Sequence, residues 1–293
     1  MNLKERLEQE METRGITQSS IARSLNVSAA TLSQWLKGEY NGNVANIDKK
    51  VKAWLEVEAE RRHSPNTIPF RLTHNAKKVF EVARICHVDK EIGVITGEAG
   101  LGKTVALREY TRRYDDDILI EADHGYTAKT LFQELCQRAG LEPGRQLHPM
   151  LEAVVEKLSG THRMVIVDEA EHLPYRALEL LRRLHDKANI GLLLVGMPIL
   201  YGNIKGKKID FAQLYSRVGL YTNLQKLSTK DVELLVTAVY PHANGLTKDF
   251  SKNANGNARR LSKLMSRAER VAQVNDVPLS AEVIESATSM LIA

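Results

Sequence analysis

Apolar positions in the first sixty residues recur at helical spacing. Leu3, Leu7 and Met11 mark an opening helix, and Arg14-Gly15 turns the chain out of it. Ile21, Ala22 and Leu25 form the inner face of a second helix, with Thr17 as its cap; Leu32, Trp35 and Leu36 bury a third, capped by Ser28. Val27 plugs the turn between them. After a turn at Asn41-Gly42-Asn43, the spacing of Val44, Ile47, Val51, Trp54 and Leu55 predicts a closing helix over 44–60, with both tryptophans as core residues. Periodicity breaks at Arg61-Arg62-His63-Ser64-Pro65-Asn66-Thr67-Ile68-Pro69. Two prolines among polar residues read as a linker. Residues 1–62 are therefore expected to be a small all-α domain and 63–75 a linker.

The pattern then changes. Ala76, Val79, Phe80 and Ala83 predict a helix over 75–86, ahead of the first strand. Short, largely apolar runs follow at 92–96, 118–122, 164–167, 190–196 and 218–221, each separated by helical spacing. Leu131, Leu135 and Ala139 mark one such helix, Leu151, Val154, Val155 and Leu158 another, and Leu178, Leu181 and Leu184 a third over 175–187. Continuous apolar runs alternating with helices predict an α/β core with a parallel five-stranded sheet over 76–222. From 223 onward only helical spacing remains. Val232, Leu235, Val236 and Val239 lie on one helix, another starts near Asn257, and Val283, Ile284 and Ala287 pack a last one after Pro278. Residues 223–293 are expected to be a helical lid.

With 293 residues and 43% apolar content the chain can bury more than one core, and no stretch is apolar enough to span a membrane. The charged start, Met1-Asn2-Leu3-Lys4-Glu5, lacks a following signal segment, so a cytoplasmic location is expected. Cys86 and Cys136 have no metal-type spacing and are expected to be reduced. A net charge of +5 permits nucleic-acid binding without establishing it.

The chemistry begins at Gly97-Glu98-Ala99-Gly100-Leu101-Gly102-Lys103-Thr104, a G-x-x-x-x-G-K-T run between a strand and a helix. That context marks a phosphate-binding loop. Its glycines bring backbone N–H groups onto phosphate oxygens, and Val105 continues into a helix whose free amides and dipole favour an anion. Lys103 is placed for the β- and γ-phosphates and Thr104 for magnesium. About sixty-five residues on, Val165-Ile166-Val167-Asp168-Glu169 ends a buried strand in two carboxylates. Asp168 is expected in the magnesium shell. Glu169 is expected to orient and deprotonate a water for attack on the γ-phosphate of ATP. His172 reads as a neighbour of this site or a surface residue, since no zinc spacing surrounds it.

The strand over 190–196 should lie between the phosphate-loop strand and the Asp168 strand. Many ATPases of this build carry a polar side chain at its end to sense the γ-phosphate. Here the end is Gly196-Met197-Pro198, and Met197 makes no strong hydrogen bond, so the sensor is absent or a nearby group replaces it. Arg217, just before the fifth strand, is a candidate to neutralise charge in a neighbouring subunit's site; the alternative is an intramolecular salt bridge. Arg259, in Gly256-Asn257-Ala258-Arg259, is the candidate lid arginine on the nucleotide.

Contact with double-stranded DNA has three candidate sources. The N-terminal pattern T-Q-x-x-I-A-x-x-L-x-V-S-x-x-T-L-S-x-W-L-x-G resembles phage-repressor helix-turn-helix domains. Gln18 would touch a phosphate, and Ser28, Ala29, Thr31, Ser33, Gln34 and Lys37 lie on or beside the helix that would enter the groove. That helix holds no arginine, which argues against strong base specificity. The run Tyr201 to Lys208 reads as a glycine-rich basic loop whose Lys205, Lys207 and Lys208 suit phosphate contact. Arg260 and Lys263, with Arg267 and Arg270, form a basic flank on the lid.

Taken together, the phosphate loop, the V-D-E strand, Arg217 and G-N-A-R resemble an AAA+ P-loop ATPase. The order of parts resembles the phage Mu transposition protein B family and its transposon ATPase relatives. The similarity runs through W-L-K-G-E-Y-N-G-N, A-x-R-E-Y after the phosphate loop, V-D-E-A-E-H-L, G-L-L-L-V-G and F-A-Q-L-Y-S-R-V. The resemblance implies ATP-dependent, largely sequence-independent DNA binding, helical filaments with an active site shared between subunits, and delivery of target DNA to a transposase. Family members often carry asparagine near the sensor position, from which Met197 departs. Competing readings are a replication initiator or helicase loader, an ATP-driven regulator, a secretion ATPase, which would lack the N-terminal unit, and a DNA scaffold that nucleotide only cements.

Overall fold

A computed structural model describes residues 2–62, 68–205, 212–241 and 245–291. It comprises two compact units, Met1–Asn66 and Thr67–Ala293, so the boundary lies inside the predicted linker.

The first unit holds four helices, α1 (Leu3–Arg14), α2 (Gln18–Ser24), α3 (Ala29–Lys37) and α4 (Val44–Arg62). The expected caps form: Thr17 accepts from the Ser20 N–H and Ser28 from the Thr31 N–H. Gly15 and Gly38 close α1 and α3 at positive φ, where a side chain would be strained. Leu7, Ile21, Ala22, Leu25, Leu32, Trp35, Ile47, Val51 and Leu55 make one core. The Trp35 indole donates to Asp48 at 2.8 Å, while Trp54 packs only partly buried at its edge. Arg14 pairs with Glu58, a buried carboxylate of this unit.

The second unit is built on β1 (Ile92–Thr96), β2 (Ile118–Glu121), β3 (Val165–Asp168), β4 (Leu192–Gly196) and β5 (Val218–Asn223), all parallel, in the order β2-β3-β4-β1-β5. On one face lie α5 (His74–Asp89) and α6 (Lys103–Arg113). On the other lie α7 (Ala128–Arg138), α8 (Leu147–Leu158) and α9 (Tyr175–Ala188). Helices on both faces explain why the central strands are unbroken apolar runs. Gly93 is required where α5 crosses β1, because a Cβ there would collide with the Cys86 sulfur. Both cysteines are free and buried.

Two short helices, α10 (Pro198–Lys205) and α11 (Ala212–Tyr215), connect β4 to β5. The expected basic loop is thus corrected over Tyr201 to Lys205, which is helical. Pro198 starts the helix, and Leu200 and Ile204, four apart, bury its inner face. Lys207 and Lys208 lie outside the described residues. The lid comprises α12 (Thr229–Val239), α13 (Thr247–Ala254), α14 (Ala258–Val274) and α15 (Ala281–Ser289) around Val236, Phe250, Leu261, Leu264 and Ile284. Among the described residues, no helix is long and apolar enough to cross a membrane.

Candidate nucleotide site

Parallel strands converge their carboxyl ends at one edge of the sheet, and the site lies there. The loop after β1 wraps tightly because Gly100 and Gly102 take positive φ, 80° and 91°. Gly97 approaches too closely for a side chain to fit easily, with Leu224 Cβ 3.0 Å from where its own Cβ would be. Gly102 caps α6 without a side-chain bond, which leaves the first amides of that helix open to an anion. Lys103 is buried and donates to the carbonyls of Gly97 at 2.7 Å and Glu98 at 3.1 Å. The ammonium is thereby held folded over its own loop.

One residue further, the Thr104 hydroxyl donates to Asp168 Oδ2 at 2.6 Å. Asp168 is 1% exposed at the end of β3, and its other oxygen accepts from the Glu169 N–H at 2.9 Å. Burial pushes the Asp168 carboxyl up, against the pull of these bonds. Two hard oxygens brought together from β3 and α6 are donors that suit magnesium, which takes one or two protein ligands and completes its shell with water and phosphate. Glu169 itself sits at φ 53° and starts a 3-10 turn, Ala170–His172. Burial and the neighbouring Glu171 carboxylate push the Glu169 carboxyl up. The His172 ring lies 3.8 Å from that of His124.

Of these groups, Lys103, Thr104 and Glu169 line a cavity of about 500 Å³, together with Met197. The lid closes it through Arg259, which lines the cavity and whose backbone N–H donates to the Gly100 carbonyl at 3.2 Å. Lys263, one helical turn on, lines the same cavity, although the sequence placed it on a DNA-facing flank. Arg260 donates instead to the Asn253 carbonyl at 2.8 Å. Ile68, Pro69 and Phe70, read from sequence as linker, form a wall of the cavity with Leu227 and Leu235. No motif signals that role. Three polar side chains tie lid to core, a role the sequence signals for none of them: Asn75 donates to the Gln225 carbonyl, Asp231 accepts from the His74 N–H, and Asn257 donates to the Ala99 carbonyl.

Arg217 stands apart from this cavity. Its Nε lies 3.7 Å from Asp186 Oδ1, and its side chain is 58% exposed. Of the remaining DNA candidates, Ser28, Ala29, Gln34 and Lys37 are exposed, while Gln18, Thr31 and Ser33 are half-buried. Ser28 and Thr31 also bond each other at the start of α3. Lys205 is exposed at the end of α10, 5.8 Å from the Tyr201 ring.

Comparison with known proteins agrees with this architecture. The AAA domain family matches residues 86–204. The chain is 32% identical over 247 residues to the Mu-like prophage FluMu DNA transposition protein B of Haemophilus influenzae, across 81% of this chain and 85% of that protein. It is 31% identical over 233 residues to the ATP-dependent target DNA activator B of Escherichia phage Mu, across 78% and 74%. Among solved structures, the Aeropyrum pernix ORC2 protein in its ADPNP–ADP complexes superposes with a TM-score of 0.61 at 18% identity. That likeness covers 80% of this chain and 72% of that chain, and it concerns fold alone. The sheet order, the phosphate loop facing an Asp-Glu strand end and the extent of these alignments lead to one conclusion: the chain belongs to the Mu transposition protein B family and has the AAA+ P-loop ATPase fold.

Proposed function

We propose that the protein is a magnesium-dependent ATPase that assembles on double-stranded DNA with little sequence preference and presents that DNA as target to a transposase. The observation that carries the catalytic part is the Thr104–Asp168 contact, which sets the phosphate loop against Glu169 under a lid arginine. The names of the relatives, ATP-dependent target DNA activator and DNA transposition protein, support the biological part.

On this reading, ATP draws Lys103 away from the Gly97 and Glu98 carbonyls to the β- and γ-phosphate oxygens. The open amides of Gly102, Lys103 and Thr104 face the same oxygens. Thr104 and Asp168 would hold magnesium, which would supply charge neutralisation to the phosphates. Glu169 accepts a proton from a water whose oxygen bonds to the γ-phosphorus. The bond from that phosphorus to the bridging oxygen breaks, and ADP leaves with the electron pair. Arg259 grips the phosphates from the lid. Arg217, exposed and only loosely held by Asp186, serves the site of a neighbouring copy, so that assembly completes the catalytic centre.

The arginine-free face of α3 supports sequence-independent contact with DNA. Electron microscopy on long random-sequence duplex tests the whole reading. Continuous coats with ATP and bare DNA without it are expected; discrete complexes at one sequence, or no dependence on ATP, would reject it.

A further inference from the structure

The first turns of α14 give one face to the nucleotide cavity and another to the lid core. Ala258, Arg259, Ser262 and Lys263 line the cavity, at the spacing that puts residues i, i+1, i+4 and i+5 on one side of a helix. Leu261, Leu264 and Met265 are buried in the lid core on the other side. The start of this helix is fixed to the phosphate loop twice. The Arg259 N–H donates to the Gly100 carbonyl at 3.2 Å, and the capping Asn257 side chain donates to the Ala99 carbonyl at 2.8 Å. Lys263, four residues beyond Arg259, therefore stands about 6 Å further along the helix axis from that anchor.

The cavity is strongly cationic. Arg71, Lys103, Arg259 and Lys263 line it against one carboxylate, Glu169. That excess suits a polyanion. The cations are held differently. Lys103 donates to its own loop and Arg71 to the Phe70 carbonyl. Arg260, which does not line the cavity, is held by the Asn253 carbonyl. The Lys263 side chain is exposed and has no ion pair or hydrogen bond among the described residues. Along its length the cavity changes from the amides of Gly100 to Thr104 at one end to Ile68, Phe70, Leu227 and Leu235 at the other. The loop end takes the β- and γ-phosphates, with Lys103 and Arg259, and the apolar end suits a flat base. The α-phosphate and the ribose fall between them.

We propose that Lys263 binds the α-phosphate of the nucleotide. This rests on the ATPase reading above. Its long stem and three donors allow the ammonium to reach an oxygen from the next turn of the helix, and a phosphate oxygen is a stronger partner for a cation than a ribose hydroxyl. The two lid cations then divide their work. Arg259 meets phosphate oxygens that change on hydrolysis, whereas the α-phosphate is common to ATP and ADP. Lys263 thus keeps the lid on the nucleotide in both states.

The test is calorimetric titration of the full chain, Lys263→Ala, Lys263→Arg and Arg259→Ala with ADP and with the β,γ-imido analogue of ATP, each with magnesium. Lys263→Ala is expected to weaken both ligands by the same factor, about tenfold, and Lys263→Arg to recover most of that loss. Arg259→Ala is expected to weaken the ATP analogue more than ADP. Thermal unfolding of nucleotide-free Lys263→Ala is expected to match that of the unsubstituted chain. A loss confined to the ATP analogue would place Lys263 at the γ-phosphate and overturn the proposal. So would equal losses in Lys263→Ala and Lys263→Arg, or a lowered unfolding temperature without nucleotide, which marks a packing role. Unchanged nucleotide affinity with weakened binding to duplex DNA would return Lys263 to a DNA-facing flank. If the unsubstituted chain bound neither ligand, the ATPase reading itself would fail.

Discussion

Asn257 at the head of α14 reaches across to the phosphate loop and donates to the Ala99 carbonyl at 2.8 Å. Its oxygen meanwhile accepts from the Arg260 N–H at 3.0 Å, so the residue that starts the lid helix also fastens the lid to the loop. Gly100 lies directly beneath, and a Cβ there would run into the Asn257 amide.

Gly100→Ala is expected to disturb this contact from the other side. Gly100 has φ 80°, a conformation that costs a residue with a side chain about 1–2 kcal/mol before any collision. Nucleotide affinity should fall by about tenfold or more, since 1.4 kcal/mol is a factor of ten. Titration with a fluorescent ATP analogue checks this. Asn257→Ala, which removes the latch but leaves the loop free, should weaken binding less.

Asp231 ties lid to core, and its contribution should depend on pH. Burial pushes its carboxyl up, but the His74 N–H and the Ser228 hydroxyl and N–H pull it further down, so the net displacement is below the ordinary value. A lowered native value means stability that is fully present above the unfolded carboxylate range, near pH 4. It is lost as pH falls through the native value. Asp231→Asn should therefore cost about 1 kcal/mol at pH 7, typical of a weakened hydrogen bond, and proportionally less at pH 3. Urea unfolding at the two pH values measures the difference; an equal cost at both would contradict it.

Arg217 offers a test of shared catalysis. Arg217→Ala and Lys103→Ala should each be nearly inactive alone. Mixed, they should regain part of the hydrolysis, because an intact Arg217 from one copy then faces an intact Lys103 in the other. No recovery in mixtures shown to co-assemble would assign Arg217 to its contact with Asp186 instead.

What could be read from the sequence follows how local the chemistry is. The phosphate loop and the Asp168-Glu169 pair are contiguous residue types with flanking apolar runs, and the strands around them are unmistakable because both faces are buried. Glu171 stands two residues from Glu169 but was legible only as part of a polar run. Its position depends on a left-handed residue and a 3-10 turn that no residue type announces. Glycine and lysines made residues 201–205 look like a loop, whereas Leu200 and Ile204 hold them helical against the core. The helix α13 had too few apolar residues to show its period, with Phe250 and Ala254 alone buried. Lys263 resembled a solvated basic flank, yet one helical turn from Arg259 is enough to bring it to the nucleotide cavity.

The central claim is that Glu169 turns over the ATP that governs assembly on DNA. Measuring hydrolysis and DNA-bound assembly together on Glu169→Gln tests it most directly. The account predicts ATP binding retained, turnover reduced by a factor of about 100 or more, and assemblies that persist on DNA after free ATP is removed. Hydrolysis at the unsubstituted rate, or assemblies that dissociate as fast as those of the unsubstituted protein, would contradict it.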